Sequence, residues 1–95
     1  MAATIELSLP KPGRLVGVRK MELLLDGEVN RNLAFGESYE VLCEPGPHTA
    51  SIVLYGLLTR RSKPLRFHAG EYETIRINAR YNRLLGTITL AQEKN

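Results

Sequence analysis

Apolar and polar residues alternate along most of this chain. In "TIELSL", Ile5, Leu7 and Leu9 fall on one side while Thr4, Glu6 and Ser8 fall on the other. The same period of two runs through "KMELLLD" (Met21, Leu23, Leu25), "ESYEVLCE" (Tyr39, Val41, Cys43) and "HTASIVLY" (Ala50, Ile52, Leu54). It returns in "LRFHA" (Leu65, Phe67, Ala69), "ETIRINA" (Ile75, Ile77, Ala79) and "GTITLA" (Ile88, Leu90). Successive side chains of a strand point to opposite faces, so each run buries one face and wets the other. Turn signals separate the runs: Asp26-Gly27, Phe35-Gly36, Pro45-Gly46-Pro47, Tyr55-Gly56, Lys63-Pro64 and Ala69-Gly70. Short alternating segments between regular turns predict an all-β fold, a small antiparallel β-sandwich of six to eight strands.

One stretch breaks phase. In "RLVGVRKMELLLDG", Val16 and Val18 are even-numbered, whereas Met21, Leu23 and Leu25 are odd. Three readings stay open for residues 14–26: one bulged strand, two strands joined by a bend, or a short helix. In "CEPGPHTASIVLYG", Cys43 is in step with the apolar side of its strand and His48 opens the next. Two prolines around Gly46 then read as a rigid hairpin connection.

Ninety-five residues make a single domain, residues 1–95, with one modest core. The composition is 43% hydrophobic and 24% charged, ordinary for a globular chain. No apolar run approaches the ~18 residues of a membrane helix. The first residues have neither a basic start nor an apolar stretch, so no secretory signal is expected. The single cysteine fits a reducing compartment, and the cytoplasm is the expected location.

Charge is distributed unevenly. Residues 1–50 carry five basic against seven acidic side chains, net −2; residues 51–95 carry eight against three, net +5. The basic excess concentrates in "TRRSKPLRFH". Arg60, Arg61 and Lys63 are expected in a loop, and Arg66 and His68 on the polar face of the next strand. Arg76, Arg80 and Arg83 extend that surface if the following strand pairs beside it. Such a patch suits an anionic partner.

The order of features resembles the PEGA-type domain, a small bacterial β-sandwich module. The matching residues are "LLLDGE", "EPGPHTASIVLYGL" and "LRFHAGEYETIRIN", spanning about residues 19–78. The resemblance implies an immunoglobulin-like or prealbumin-like sandwich, no shared active site, and a structural or interaction role.

Catalytic chemistry finds little support. A Cys43–His48 nucleophile pair needs an orienting group and an oxyanion hole; Cys43 instead reads as a packed residue. One cysteine and two histidines without ligand spacing exclude a structural zinc site within the chain. Gly70 and Gly86 are isolated and open no phosphate-binding helix. Glu71 and Glu73 form a same-face carboxylate pair best read as a solvated sheet end. No cofactor is expected. The expected function is a non-enzymatic interaction module, contacting another protein through a sheet edge or the basic 60–66 loop. The alternative is an anionic ligand, nucleic acid or anionic lipid held by the basic surface of residues 60–83.

Overall fold

The computed structural model describes residues 2–10, 18–56, 59–82 and 87–93. Nine strands run through them: β1 (Ala3–Ser8), β2 (Val18–Leu25), β3 (Glu28–Leu33), β4 (Ser38–Cys43), β5 (Gly46–Gly56), β6 (Arg60–Arg61), β7 (Leu65–Ala69), β8 (Thr74–Asn82) and β9 (Thr87–Gln92). They form two sheets packed face to face. Sheet A has the order β4-β1-β8-β9; sheet B has β3-β2-β5-β6, with β7 also on β5. The sandwich is therefore all-β, as the alternation predicts, with one strand more than the upper expectation. Every pairing is antiparallel except β1 with β8.

The core is the sum of the alternating faces. Ile5 and Leu7 of β1, Val41 of β4, Ile75 and Ile77 of β8 and Leu90 of β9 meet Met21 and Leu23 of β2, Ile52 and Leu54 of β5 and Phe67 of β7. Among the described residues Leu7, Ile52 and Ile77 are the largest side chains fully shielded from solvent. Burial of this kind is worth roughly 1.5–3 kcal/mol per large aliphatic side chain, and it fixes register, because a one-residue slip turns an entire apolar face outward.

The phase break resolves as a bulge. β2 shifts register against β5 between Val18 and Lys20, where two β2 steps oppose one step from Gly56 to Tyr55. An extra residue in one strand reverses its parity. The helix alternative is overturned over residues 18–25; residues 14–17 lie outside the described residues. β2 then enters a two-residue hairpin, Leu25 facing Glu28, with Asp26 and Gly27 at φ 53° and 83°. Two positive φ values define the turn whose twist matches the flanking strands, and Asp-Gly is a preferred sequence for it.

The Pro45-Gly46-Pro47 segment is not a hairpin. β4 pairs with β1 in sheet A, whereas β5 pairs with β2, β6 and β7 in sheet B. The chain crosses from one sheet to the other there, with Gly46 at φ 130°. A hairpin and an inter-sheet crossing use the same turn chemistry; pairing partners decide between them. β5 is long enough, at 11 residues, to hold two short strands on one side. β6 lies against Val53 and Leu54, and β7 against Gly46 to Ala50.

Candidate functional site

β6, Lys63 and β7 together form one border of sheet B. Arg61 faces Val53 and Arg66 faces Thr49, so both cations stand on the outer surface of the sheet. Arg60 faces Leu54, on the side turned toward sheet A, at the rim of the sandwich. Arg60, Arg61, Lys63 and Arg66 are all exposed. Among the described residues no carboxylate comes within 4.0 Å of any of the four. Leu65, Phe67 and Ala69 turn inward, which holds β7 down and aims Arg66 and His68 outward.

Ser62 fastens this border. It is 4% exposed. Its N–H donates to the Ile52 carbonyl at 2.8 Å, and its Oγ accepts from the Ile52 N–H at 2.8 Å. The hydroxyl thus stands in for a ladder carbonyl in the gap between β6 and β7. Without it a buried backbone donor has no acceptor there.

A shallow concavity of about 440 Å³ opens beside Arg66, lined by Asp26, Pro47, His48, Thr49, Phe67 and His68. Asp26 organises it. One carboxylate oxygen accepts from the Thr49 N–H at 2.9 Å; the other meets His48 Nδ1 at 2.6 Å. His48 Nε2 meets the Glu44 carbonyl at 2.5 Å. A carboxylate and a carbonyl are both acceptors, so the doubly protonated ring satisfies both contacts. The Glu44 carbonyl and then the Asp26 carboxylate raise the His48 pKa above its ordinary 6.5, against the opposing effect of partial burial. For Asp26, desolvation pushes the carboxyl upward, but the hydrogen bonds from His48 and Thr49 together outweigh it, and its pKa is lowered. The clasp joins the β2–β3 turn, the sheet crossing and β5. His48 also lies over Phe67, ring centroids 5.7 Å apart.

This geometry disposes of Cys43 and His48 as nucleophile and base. Both ring nitrogens of His48 are engaged elsewhere. Cys43 is buried, and desolvation, then the nearby Asp26 and Glu44 charges, hold its thiol in the neutral form. Glu73 folds back within its turn, its Oε1 accepting from the Gly70 N–H at 2.7 Å. Among the described residues no group of three or more His, Cys, Asp or Glu side chains is placed to hold a metal ion. No helix among them is long and apolar enough to cross a membrane.

The expected extension of the basic surface does not form. β7 has β5 for its neighbour, while β8 lies between β1 and β9 in the other sheet. Arg76 and Arg80 therefore project from the outer face of sheet A, away from Arg61 and Arg66. Arg76 is already paired with Glu6 at 3.2 Å. Arg83 lies outside the described residues. The turn at 70–73 sends the chain across the sandwich instead of back along β7, so the cluster divides into an edge of four cations and a separate pair.

Two further features escape a reading of the sequence. Glu22 is 9% exposed although it lies on the outer face of β2. It accepts from the Tyr55 hydroxyl at 2.6 Å and pairs with Lys20 at 3.3 Å. The Tyr55 hydrogen bond and the Lys20 ammonium lower its pKa against the pull of burial. Cross-strand spacing is the signal for this contact, and it requires the bulged β2–β5 register. The His48–Asp26 clasp has a fainter signal, an Asp in an Asp-Gly turn 22 residues ahead of a strand-opening His. Comparison with protein-family models, curated proteins and solved structures returns no match.

Proposed function

We propose that this domain is a non-enzymatic binding module whose β6/β7 border takes up an acidic segment of another protein. One observation carries the reading: Arg60, Arg61, Lys63 and Arg66 line a single sheet edge, exposed and without carboxylate partners among the described residues. The sheet edge and the basic 60–66 segment, separate candidates in the sequence, coincide in space. An edge strand offers backbone groups for strand addition, and flanking cations select the sign of what adds. Nucleic acid is the competing partner for the same cations, but stacking aromatics are not interleaved along β6 and β7, as sequence-tolerant single-strand binding prefers.

The test is fluorescence anisotropy with a Glu-rich peptide and, separately, single-stranded RNA of similar charge, at low and moderate ionic strength. The acidic peptide binds at low salt, more tightly than the RNA, and K63E/R66E abolishes it. Peptide binding unaffected by K63E/R66E, or its absence at low salt, contradicts the proposal; tighter RNA binding replaces it with the nucleic-acid reading.

A further inference from the structure

The two long borders of the sandwich carry opposite charge. β9 packs against both β6 and β7, so these share one side of the molecule. On the other side Arg31 of β3 lies over the ring of Tyr39 of β4, 5.6 Å from its centroid, which places the β3 and β4 edges together. This second side carries Glu28, Glu37, Glu40 and Glu44, all exposed, with Arg31 as the countercharge. No lysine or arginine occurs between Arg31 and Arg60. The half-chain charge asymmetry is thus converted by the fold into an asymmetry between opposite edges.

The acidic side is also open and partly apolar. Among the described residues β4 has β1 as its one strand partner. The Leu9 N–H donates to the Glu37 carbonyl, so the odd-numbered residues of this antiparallel pair exchange hydrogen bonds. The backbone groups of Ser38, Glu40 and Leu42 consequently point away from β1. Leu42 is 71% and Val29 58% exposed, two of the three large hydrophobic side chains left in solvent among the described residues.

We infer that the acidic strand taken up at the β6/β7 border is β4 of a second copy of this chain, arranged head to tail. The inference rests on the reading of that border as a docking edge and supplies its partner. Charge complementarity selects the arrangement. Pairing β4 with β4 brings Glu37, Glu40 and Glu44 against themselves, and pairing the basic edges does the same with four cations. Joining unlike edges sets Glu37, Glu40 and Glu44 against Arg61, Lys63 and Arg66 and covers Leu42. The pair then keeps one free edge of each sign, one on each copy, so the contact is heterologous and propagates into chains or rings rather than stopping at a symmetric dimer.

Sedimentation velocity on the full chain tests this, with an acidic-peptide titration on the same samples. At about 0.02 M salt the wild-type chain associates in a concentration-dependent manner past the dimer. At about 0.3 M the apparent Kd rises roughly tenfold or more, because exposed pairs are screened over a few ångströms. E37K/E40K and K63E/R66E, both checked for unchanged melting temperature, are each monomeric. An equimolar mixture of the two associates again, since the intact basic edge of the first meets the intact acidic edge of the second. A wild-type chain that stays monomeric at near-millimolar concentration and low salt overturns the inference, as does a mixture that stays monomeric. If that monomer still binds the acidic peptide through Lys63 and Arg66, the docking edge stands with another protein as partner. If it does not, both readings fall.

Discussion

Ser62→Ala is the sharpest test of how the basic border is held. The substitution removes one oxygen from a site that is 4% exposed, opposite an Ile52 backbone that is wholly buried. The Ser62 N–H to Ile52 carbonyl bond survives, but the Ile52 N–H loses its 2.8 Å acceptor. Stranding a buried donor costs about 1–3 kcal/mol, more than the net value of an ordinary hydrogen bond, because the desolvated group recovers nothing. For 95 residues the unfolding entropy near 60 °C is roughly 0.2 kcal/mol/K, so the melting temperature falls by about 5–15 °C. Thermal unfolding by circular dichroism measures the fall. Hydrogen exchange at the Ile52 amide locates it, since that amide loses protection ahead of its β5 neighbours. Ser62→Thr keeps the hydroxyl and retains most of the protection at Ile52. A melting temperature for Ser62→Ala within about 2 °C of wild type, with Ile52 still protected, refutes the claim that the hydroxyl completes the ladder.

Three further outcomes follow from the geometry. His48 has its pKa raised in the folded state, so its contribution is complete below its ordinary 6.5 and is lost as pH rises through the folded value; Asp26, lowered from 3.8, contributes above that value and loses its contribution as pH falls through the folded one. The melting temperature therefore declines as pH rises above the ordinary histidine value of 6.5, a decline that His48→Gln flattens; an equal slope in the variant contradicts the clasp. His48→Gln lowers stability at pH 6 by about 1–2 kcal/mol, a range discounted because half of the Asp26 side chain is in solvent, and urea unfolding reads it directly. Gly46→Val meets no atom within 4 Å of its Cβ, so its cost is conformational, about 1–3 kcal/mol for a β-branched residue at φ 130°; an unchanged urea midpoint rules out that backbone constraint.

The alternation made seven of the nine strands legible, because burial of one face requires a period of two. β3 stayed hidden for the same reason. Its residues Glu28 to Asn32 are all exposed and only Leu33 is buried, so an edge strand with little to bury shows no pattern. β6 has two residues and no periodicity at all. The Val18–Lys20 bulge was visible as a change of parity, since an inserted residue reverses every later side chain. Sheet membership was not visible. Nothing local to Pro45-Gly46-Pro47 or to the 70–73 turn says whether the next strand folds back beside the last or crosses the core. For the basic residues the same limit applies to placement: Arg60, Arg61, Lys63 and Arg66 share one border, while a crossing turn carries Arg76 and Arg80 to the far face.

The claim that the β6/β7 border binds an acidic strand is tested most directly by mapping backbone amide shifts in a two-dimensional NMR titration with the Glu-rich peptide. Binding at this edge gives shifts concentrated between Arg60 and Ala69, fading as salt is raised. Shifts centred on Arg76 and Arg80, or no shifts at low ionic strength, contradict it.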